Sequence, residues 1–143
     1  MDVNFRLQPI DGAIIVVEDD PLLRHLMQEI LTEVGGHCIA FGTGDDALIY
    51  MLQSGTQCAL IIADHGLPGQ VQGAELAELV RGKWPKIPIV ITSGWTDSFI
   101  GLPENSNFLP KPWTLEGLVT AVAEALQPGV PVSEKNPHPN DKA

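Results

Sequence analysis

Short apolar runs punctuate the chain, and between them apolar residues recur at helical spacing. The first run, "AIIVV" (Ala13–Val17), holds no polar position and is predicted to be a strand buried on both faces. Pro21 follows, a residue suited to a first helical turn because its missing N–H leaves no bond unmade there. Leu22, Leu23, Leu26, Met27, Ile30 and Val34 then recur with helical period until Gly35 and Gly36 end the helix. "HCIAF" (37–41) predicts a second strand, nearer an edge. "GTGDD" turns the chain, and Asp45 is expected to cap a helix carrying Ala47, Leu48, Met51 and Leu52.

Residues 58–63 read as the third strand. Leu76, Leu79, Val80 and Trp84 mark one face of a helix over 74–84, stopped by Pro85. "IPIVITS" (87–93) and "NFLPK" (107–111) predict the fourth and fifth strands. Thr114 is expected to cap a last helix with Leu115, Leu118, Val119, Val122 and Leu126 inward. Between the last two strands, residues 94–106 show no apolar stripe, so a loop or at most one turn is expected there. Strands apolar throughout, separated by amphipathic helices, predict an α/β fold: a doubly wound parallel sheet covered on both faces. The boundaries that follow are a leader over 1–11, one domain over 12–127 and a tail over 128–143. Four prolines, Pro128, Pro131, Pro137 and Pro139, leave that tail unable to build a core, and it is expected to be mobile.

Composition narrows the function. At 143 residues with 44% apolar content, the chain is long enough for one core. Its apolar runs are too short for a membrane span of about 20 residues, and its start has no secretory pattern. A net charge of −10, with only eight scattered basic residues, argues against direct nucleic-acid binding. Cys38 and Cys58 sit in strand-like segments and read as reduced thiols of a cytoplasmic protein. The spacings of His25, His37, Cys38 and His65 do not suit zinc.

Chemistry gathers at the carboxyl ends of the predicted strands. The first strand ends in Glu18, Asp19 and Asp20, the third in Asp64, the fourth in Thr92 and Ser93, and the fifth in Lys111 before Pro112. In parallel sheets ligands bind at that rim. Clustered carboxylates repel one another unless a cation intervenes, and a hard divalent ion such as Mg²⁺ takes oxygen ligands and phosphate. A lysine and a hydroxyl nearby suit phosphoryl transfer, in which positioning and charge neutralisation do most of the work.

In order and spacing, "IIVVEDDPLLR" (14–24), "LIIADHGLPG" (60–69), "IVITSG" (89–94) and "FLPKPW" (108–113) make the chain resemble the receiver domain of two-component response regulators, over about residues 12–127. The resemblance implies a flavodoxin-like five-stranded sheet of order 2-1-3-4-5. It implies that Asp64 is the phosphoacceptor, that Asp19 ligates Mg²⁺ directly, and that Glu18 acts largely through water. Gly66 would lend its backbone carbonyl to the ion. Lys111 would hold a phosphoryl oxygen, and the Lys111–Pro112 bond is expected to be cis. Phe108 falls at the position of the switch aromatic. Both Thr92 and Ser93 qualify as the switch hydroxyl. Ser93 is favoured because "SG" followed by Trp95 fits receivers that read Thr-Gly-Tyr there.

The implied partner is a histidine kinase or a histidine phosphotransfer protein, with a protein contact as output. Three departures from the family stand out: a fourth helix that is short or absent, Trp95, and His65, which reads as a solvated loop residue. Trp113 is expected to pack at the domain edge. The chain reads as a stand-alone receiver, with a fragment of a hybrid histidine kinase as the alternative. The competing enzymatic reading is a Mg²⁺-dependent phosphohydrolase with an aspartyl nucleophile. Such enzymes carry Asp-x-Asp after the first strand, which Glu18-Asp19-Asp20 does not supply. A degenerate receiver that is never phosphorylated would lack the acid pair, Asp64 and Lys111.

Overall fold

The apolar strands form the central layer. In the computed structural model, which describes residues 5–54, 57–94, 106–127 and 133–134, β2 (Ala13–Val17), β3 (Cys38–Phe41), β4 (Cys58–Asp64), β5 (Ile89–Ser93) and β6 (Ser106–Pro110) build one five-stranded sheet. All its pairings are parallel and the order is β3-β2-β4-β5-β6, which is the expected 2-1-3-4-5 counted from Ala13. A further strand, β1 (Phe5–Arg6), pairs antiparallel with β7 (Ser133–Glu134) outside that sheet. Between the strands run α1 (Pro21–Glu33), α2 (Gly44–Ser54), α3 (Gly73–Lys83) and, after β6, α4 (Leu115–Leu126). The shortened fourth helix and Trp95 fall within 95–105, outside the described residues.

Two-sided burial explains the apolar runs of β2, β4 and β5. Ile14, Val16, Leu60, Ile62 and Val90 pack with Met27, Ile30 and Leu31 of α1 and Leu118, Val119 and Val122 of α4. Their neighbours Ile15, Val17, Ile61, Ala63, Ile89 and Ile91 point the other way, onto Ala47 and Met51 of α2 and Leu76, Ala77 and Val80 of α3. Successive side chains alternate between the faces, so both sets must be apolar. Trp113 is partly buried against the first of these clusters, as expected. Cys38 and Cys58 are free thiols, and burial pushes them up to about 12 and about 11, so they stay protonated.

Several expected details differ. Leu22 is 82% exposed, because side chains lean toward a helix N-terminus and Leu22 stands in the first turn of α1. Leu52 and Leu79 are also exposed, flanking buried arcs narrower than their periodicity suggests. Asp45 is not the cap of α2. Thr43 Oγ1 accepts from Asp46 N at 3.1 Å, so the helix starts at Gly44, two residues earlier than a cap at Asp45 would set it, and Asp45 lies in its first turn. At α1 and α4 the side-chain caps are Asp20, accepting from Leu22 N and Leu23 N, and Thr114, accepting from Gly117 N.

The leader contributes to the core. Leu7 is buried among residues of the α1 and α4 side, and its N–H donates to Val34 O at 2.8 Å. Gln127 binds Gln8 in both directions, accepting from its N–H at 3.2 Å and donating to its carbonyl at 2.9 Å. Leu7→Ala is therefore expected to cost about 2–4 kcal/mol by urea unfolding. A loss below about 0.5 kcal/mol, typical of surface positions, would mean that the leader does not stabilise the domain.

Candidate functional site

Register brings the polar residues level with one another. Val17 pairs with Ala63, and Asp64 pairs with Thr92, which in turn pairs with Leu109. Glu18, His65 and Ser93, which follow directly, and Lys111, just past the Ser93–Pro110 pair, therefore emerge at one rim of the sheet. Main-chain bonds extend the strands just past their ends: Glu18 N donates to Phe41 O, His65 N to Thr92 O and Lys111 N to Ser93 O at 3.0, 2.8 and 2.7 Å. The Lys111–Pro112 peptide is cis, as the resemblance implies.

Lys111 joins the segments. Its Nζ donates to Glu18 Oε1 at 2.9 Å and to Asp64 Oδ2 at 3.1 Å. Glu18 and Asp64 are buried, and Asp19 is exposed beside them. One oxygen from each of Glu18, Asp19 and Asp64 lies within 4.8 Å of the others. One ammonium against three carboxylates leaves the cluster anionic. At such separations each carboxylate pair repels by roughly 3–4 kcal/mol for an effective dielectric of about 20. An all-oxygen set, close together and short of positive charge, fits a hard divalent cation such as Mg²⁺.

Burial raises the pKa of Glu18 above the ordinary 4.5, and the charge of Asp64 adds to it. Hydrogen bonds from Lys111 and from Asp20 N oppose the rise. For Lys111, burial favours the neutral amine. The hydrogen bonds and charges of Glu18 and Asp64 outweigh it, and the pKa ends above 10.5.

Other residues hold this arrangement. Arg24 of α1 reaches back, Nη1 donating to Glu18 O at 2.8 Å and to Asp19 O at 3.5 Å. Sequence reading assigned Arg24 no role, although its place in the first turns of α1 after the acid pair was a usable signal. Gly73 opens α3 where a Cβ would collide with the Asp64 carbonyl oxygen and crowd His65 Cα at 2.8 Å. Its lack of a side chain lets the helix start against the strand end.

Thr92 and Ser93 are both buried. Alternation groups Thr92 with Val90 on the side of α1 and α4, and Ser93 with Ile89 and Ile91 on the other. Among the described residues, Ser93 Oγ is the buried side-chain polar atom with no hydrogen-bond partner. Leaving a hydroxyl unpaired costs about 1–3 kcal/mol, so this donor stands ready for an acceptor. Gly66 is exposed in the loop after Asp64, His65 is half-buried, and Phe108 on the edge strand β6 is 38% exposed.

The pKa of Glu18 makes a testable statement about the metal-free protein. The folded state binds this proton more tightly than the unfolded chain. Stability is therefore lost as pH rises from about 4.5 through the folded pKa. Lys111 acts at the other end, its contribution complete below about 10.5 and lost above the folded value. Urea unfolding of wild type and Glu18→Gln in chelator between pH 4 and 8 is expected to show the variant gaining on wild type as pH rises. A constant difference across that range would refute the assignment.

The chain matches the sequence model of the response regulator receiver domain over residues 14–123. It is 27% identical over 121 residues to the hydrogenase transcriptional regulatory protein HoxA of Cupriavidus necator, covering 81% of this chain and 24% of that protein. It is 30% identical over 120 residues to the sensor kinase CckA of Brucella abortus, covering 81% of this chain and 13% of the kinase. The chain thus spans a small part of these relatives. Among solved structures, a response regulator receiver protein from Sinorhizobium medicae superposes with a TM-score of 0.71 at 30% identity, covering 81% of this chain and 94% of that one.

Proposed function

The chain belongs to the response regulator receiver domain family, and from that premise we propose that it is a phosphoacceptor switch of a two-component system, with Asp64 as the acceptor. The observation that carries this reading is Lys111 Nζ bridging Glu18 and Asp64 at 2.9 and 3.1 Å, with Asp19 in the same cluster.

A histidine kinase or histidine phosphotransfer protein presents a phosphohistidine. A carboxylate oxygen of Asp64 attacks phosphorus in line. The O–P bond forms as the N–P bond breaks, and the departing imidazole nitrogen takes a proton from solvent. Asp19, Asp64 and the Gly66 carbonyl would hold Mg²⁺, with Glu18 acting largely through water. When bound, the ion neutralises charge on the phosphoryl oxygens. Transfer turns the Asp64 carboxylate into an acyl phosphate, so Lys111 exchanges a carboxylate oxygen for a phosphoryl oxygen. The unpaired Ser93 hydroxyl donates to a second one. Its movement opens space on the β6 side, and Phe108 follows into it. Water later hydrolyses the acyl phosphate.

The output is a changed protein contact in the cytoplasm. No helix among the described residues is long and apolar enough to cross a membrane. The 30% identity to a sensor kinase favours a second setting for the same chemistry, a receiver within a hybrid kinase.

Incubation with Mg²⁺ and a small phosphodonor, followed by intact mass measurement, is expected to show one phosphoryl adduct. The adduct should vanish in Asp64→Asn and in chelator, and should form about 10²-fold more slowly in Lys111→Ala. Multiple turnover of phosphate esters that survives Asp64→Asn would instead identify a phosphohydrolase. For the hydroxyl, Ser93→Ala is expected to accept the phosphoryl group while losing most of the phosphorylation-dependent amide shifts in NMR spectra, and Thr92→Ala to retain them. The reverse ranking would assign the role to Thr92.

A further inference from the structure

The loop from Asp64 to α3 includes Gly66 and is held from two directions. Leu67 is its apolar anchor, buried with Val71 packed beside it against the α2 and α3 side of the core. Its polar anchor comes from a different element. Asp45, in the first turn of α2, accepts from Gln70 N and from Val71 N with the same Oδ1, each at 3.2 Å. Gln72 Oε1 also accepts from Leu67 N, but from the end of the same loop. Among the described residues, the hydrogen bonds that reach 66–71 from another element are those to Asp45.

Two glycines make this contact possible. Gly69 adopts φ +88°, and a Cβ there would come within 2.7 Å of Asp45 Oδ1. A Cβ at Gly44 would meet Val71 O at 2.7 Å. Successive N–H groups after a left-handed residue form a concave nest suited to an anion, and here an internal carboxylate fills it.

We infer that Asp45 is a positioning residue for the phosphoacceptor site. It pins the loop through Gln70 and Val71, fixes where the Gly66 carbonyl stands relative to Asp64, and so sets the affinity for Mg²⁺. The inference rests on the receiver reading above. Asp45 touches neither the phosphoryl group nor the ion. Groups that orient ligands in this indirect way typically change metal affinity by about 10- to 100-fold when removed.

The test compares wild type, Asp45→Ala, Asp45→Asn and Asp46→Ala. Asp45 is half-exposed, and Leu67 and Val71 still pack without it, so the variants are expected to fold. Asp46→Ala controls for loss of a negative charge in the same helical turn. Amide exchange at Gln70 and Val71 is expected to quicken about tenfold in Asp45→Ala. Titration with Mg²⁺ alone, followed by NMR of the loop amides, should give about tenfold weaker binding. Phosphorylation by a small donor should slow at limiting Mg²⁺ and recover at saturating Mg²⁺, a split that general destabilisation does not produce. Asp45→Asn keeps an acceptor oxygen and should stay near wild type, as should Asp46→Ala. Wild-type Mg²⁺ affinity in Asp45→Ala overturns the inference; if the mass adduct on Asp64 still forms, the receiver reading survives. A wild-type protein that neither binds Mg²⁺ nor accepts a phosphoryl group sinks both.

Discussion

One ammonium among three carboxylates is the constraint on which this site depends. Lys111 binds Glu18 and Asp64 at once, and so joins the ends of β2, β4 and β6. Truncating it would leave two buried carboxylates facing each other without a counter-charge, and unpaired buried charge costs several kcal/mol. The bridge is also incomplete as a neutraliser, because the cluster stays anionic. That shortfall is what a hard divalent cation would offset, and it is the physical ground of the Mg²⁺ site proposed above. Such a site holds an electrostatic deficit.

The sheet makes the deficit sustainable. Strands buried on both faces are held by main-chain bonds along their length and by packing from α1 and α4 on one side and α2 and α3 on the other. Carboxylates at the ends of such strands cannot simply move apart. Rigidity at the strand ends contrasts with the loops that follow them, which need tethers of their own. Arg24 performs that service for the acid pair by binding the Glu18 and Asp19 carbonyls. Asp45 performs it for the loop after Asp64. The hydroxyl of Ser93 lies buried at the end of β5 without a hydrogen-bond partner, which costs free energy.

Much of this was legible in residue types. Apolar runs such as Ala13–Val17 and 89–91 can sit only where both faces are covered, so their continuity already implied a parallel sheet. The breaks at Pro21 and Thr114 marked helix starts correctly because both residues act locally. Errors arose where local signals compete. Thr43 and Asp45 are both competent caps, and the choice went to Thr43 because Asp45 has a partner 25 residues away. Leu22 and Leu79 obey the helical period yet stay exposed, since periodicity reports a face and not what lies beneath it. The leader gave no pattern at all, and Leu7 became core by meeting α1 and α4.

The candidate site divides along the same line. That carboxylates, hydroxyls and a lysine follow strands is a property of the sequence, because strand and acid are neighbours in the chain. Their meeting is not, since Glu18 and Lys111 are 93 residues apart and Asp64 and Lys111 are 47 apart. Strand order and register bring them into hydrogen-bonding distance. The same holds for the separation of Thr92 from Ser93 onto opposite faces. Alternation predicts that only one side can receive each, but which helices cover that side follows from the packing of the whole sheet. Residue identity names the chemistry available along this chain; the sheet order, set by burying every strand on two faces, chooses which of those groups meet.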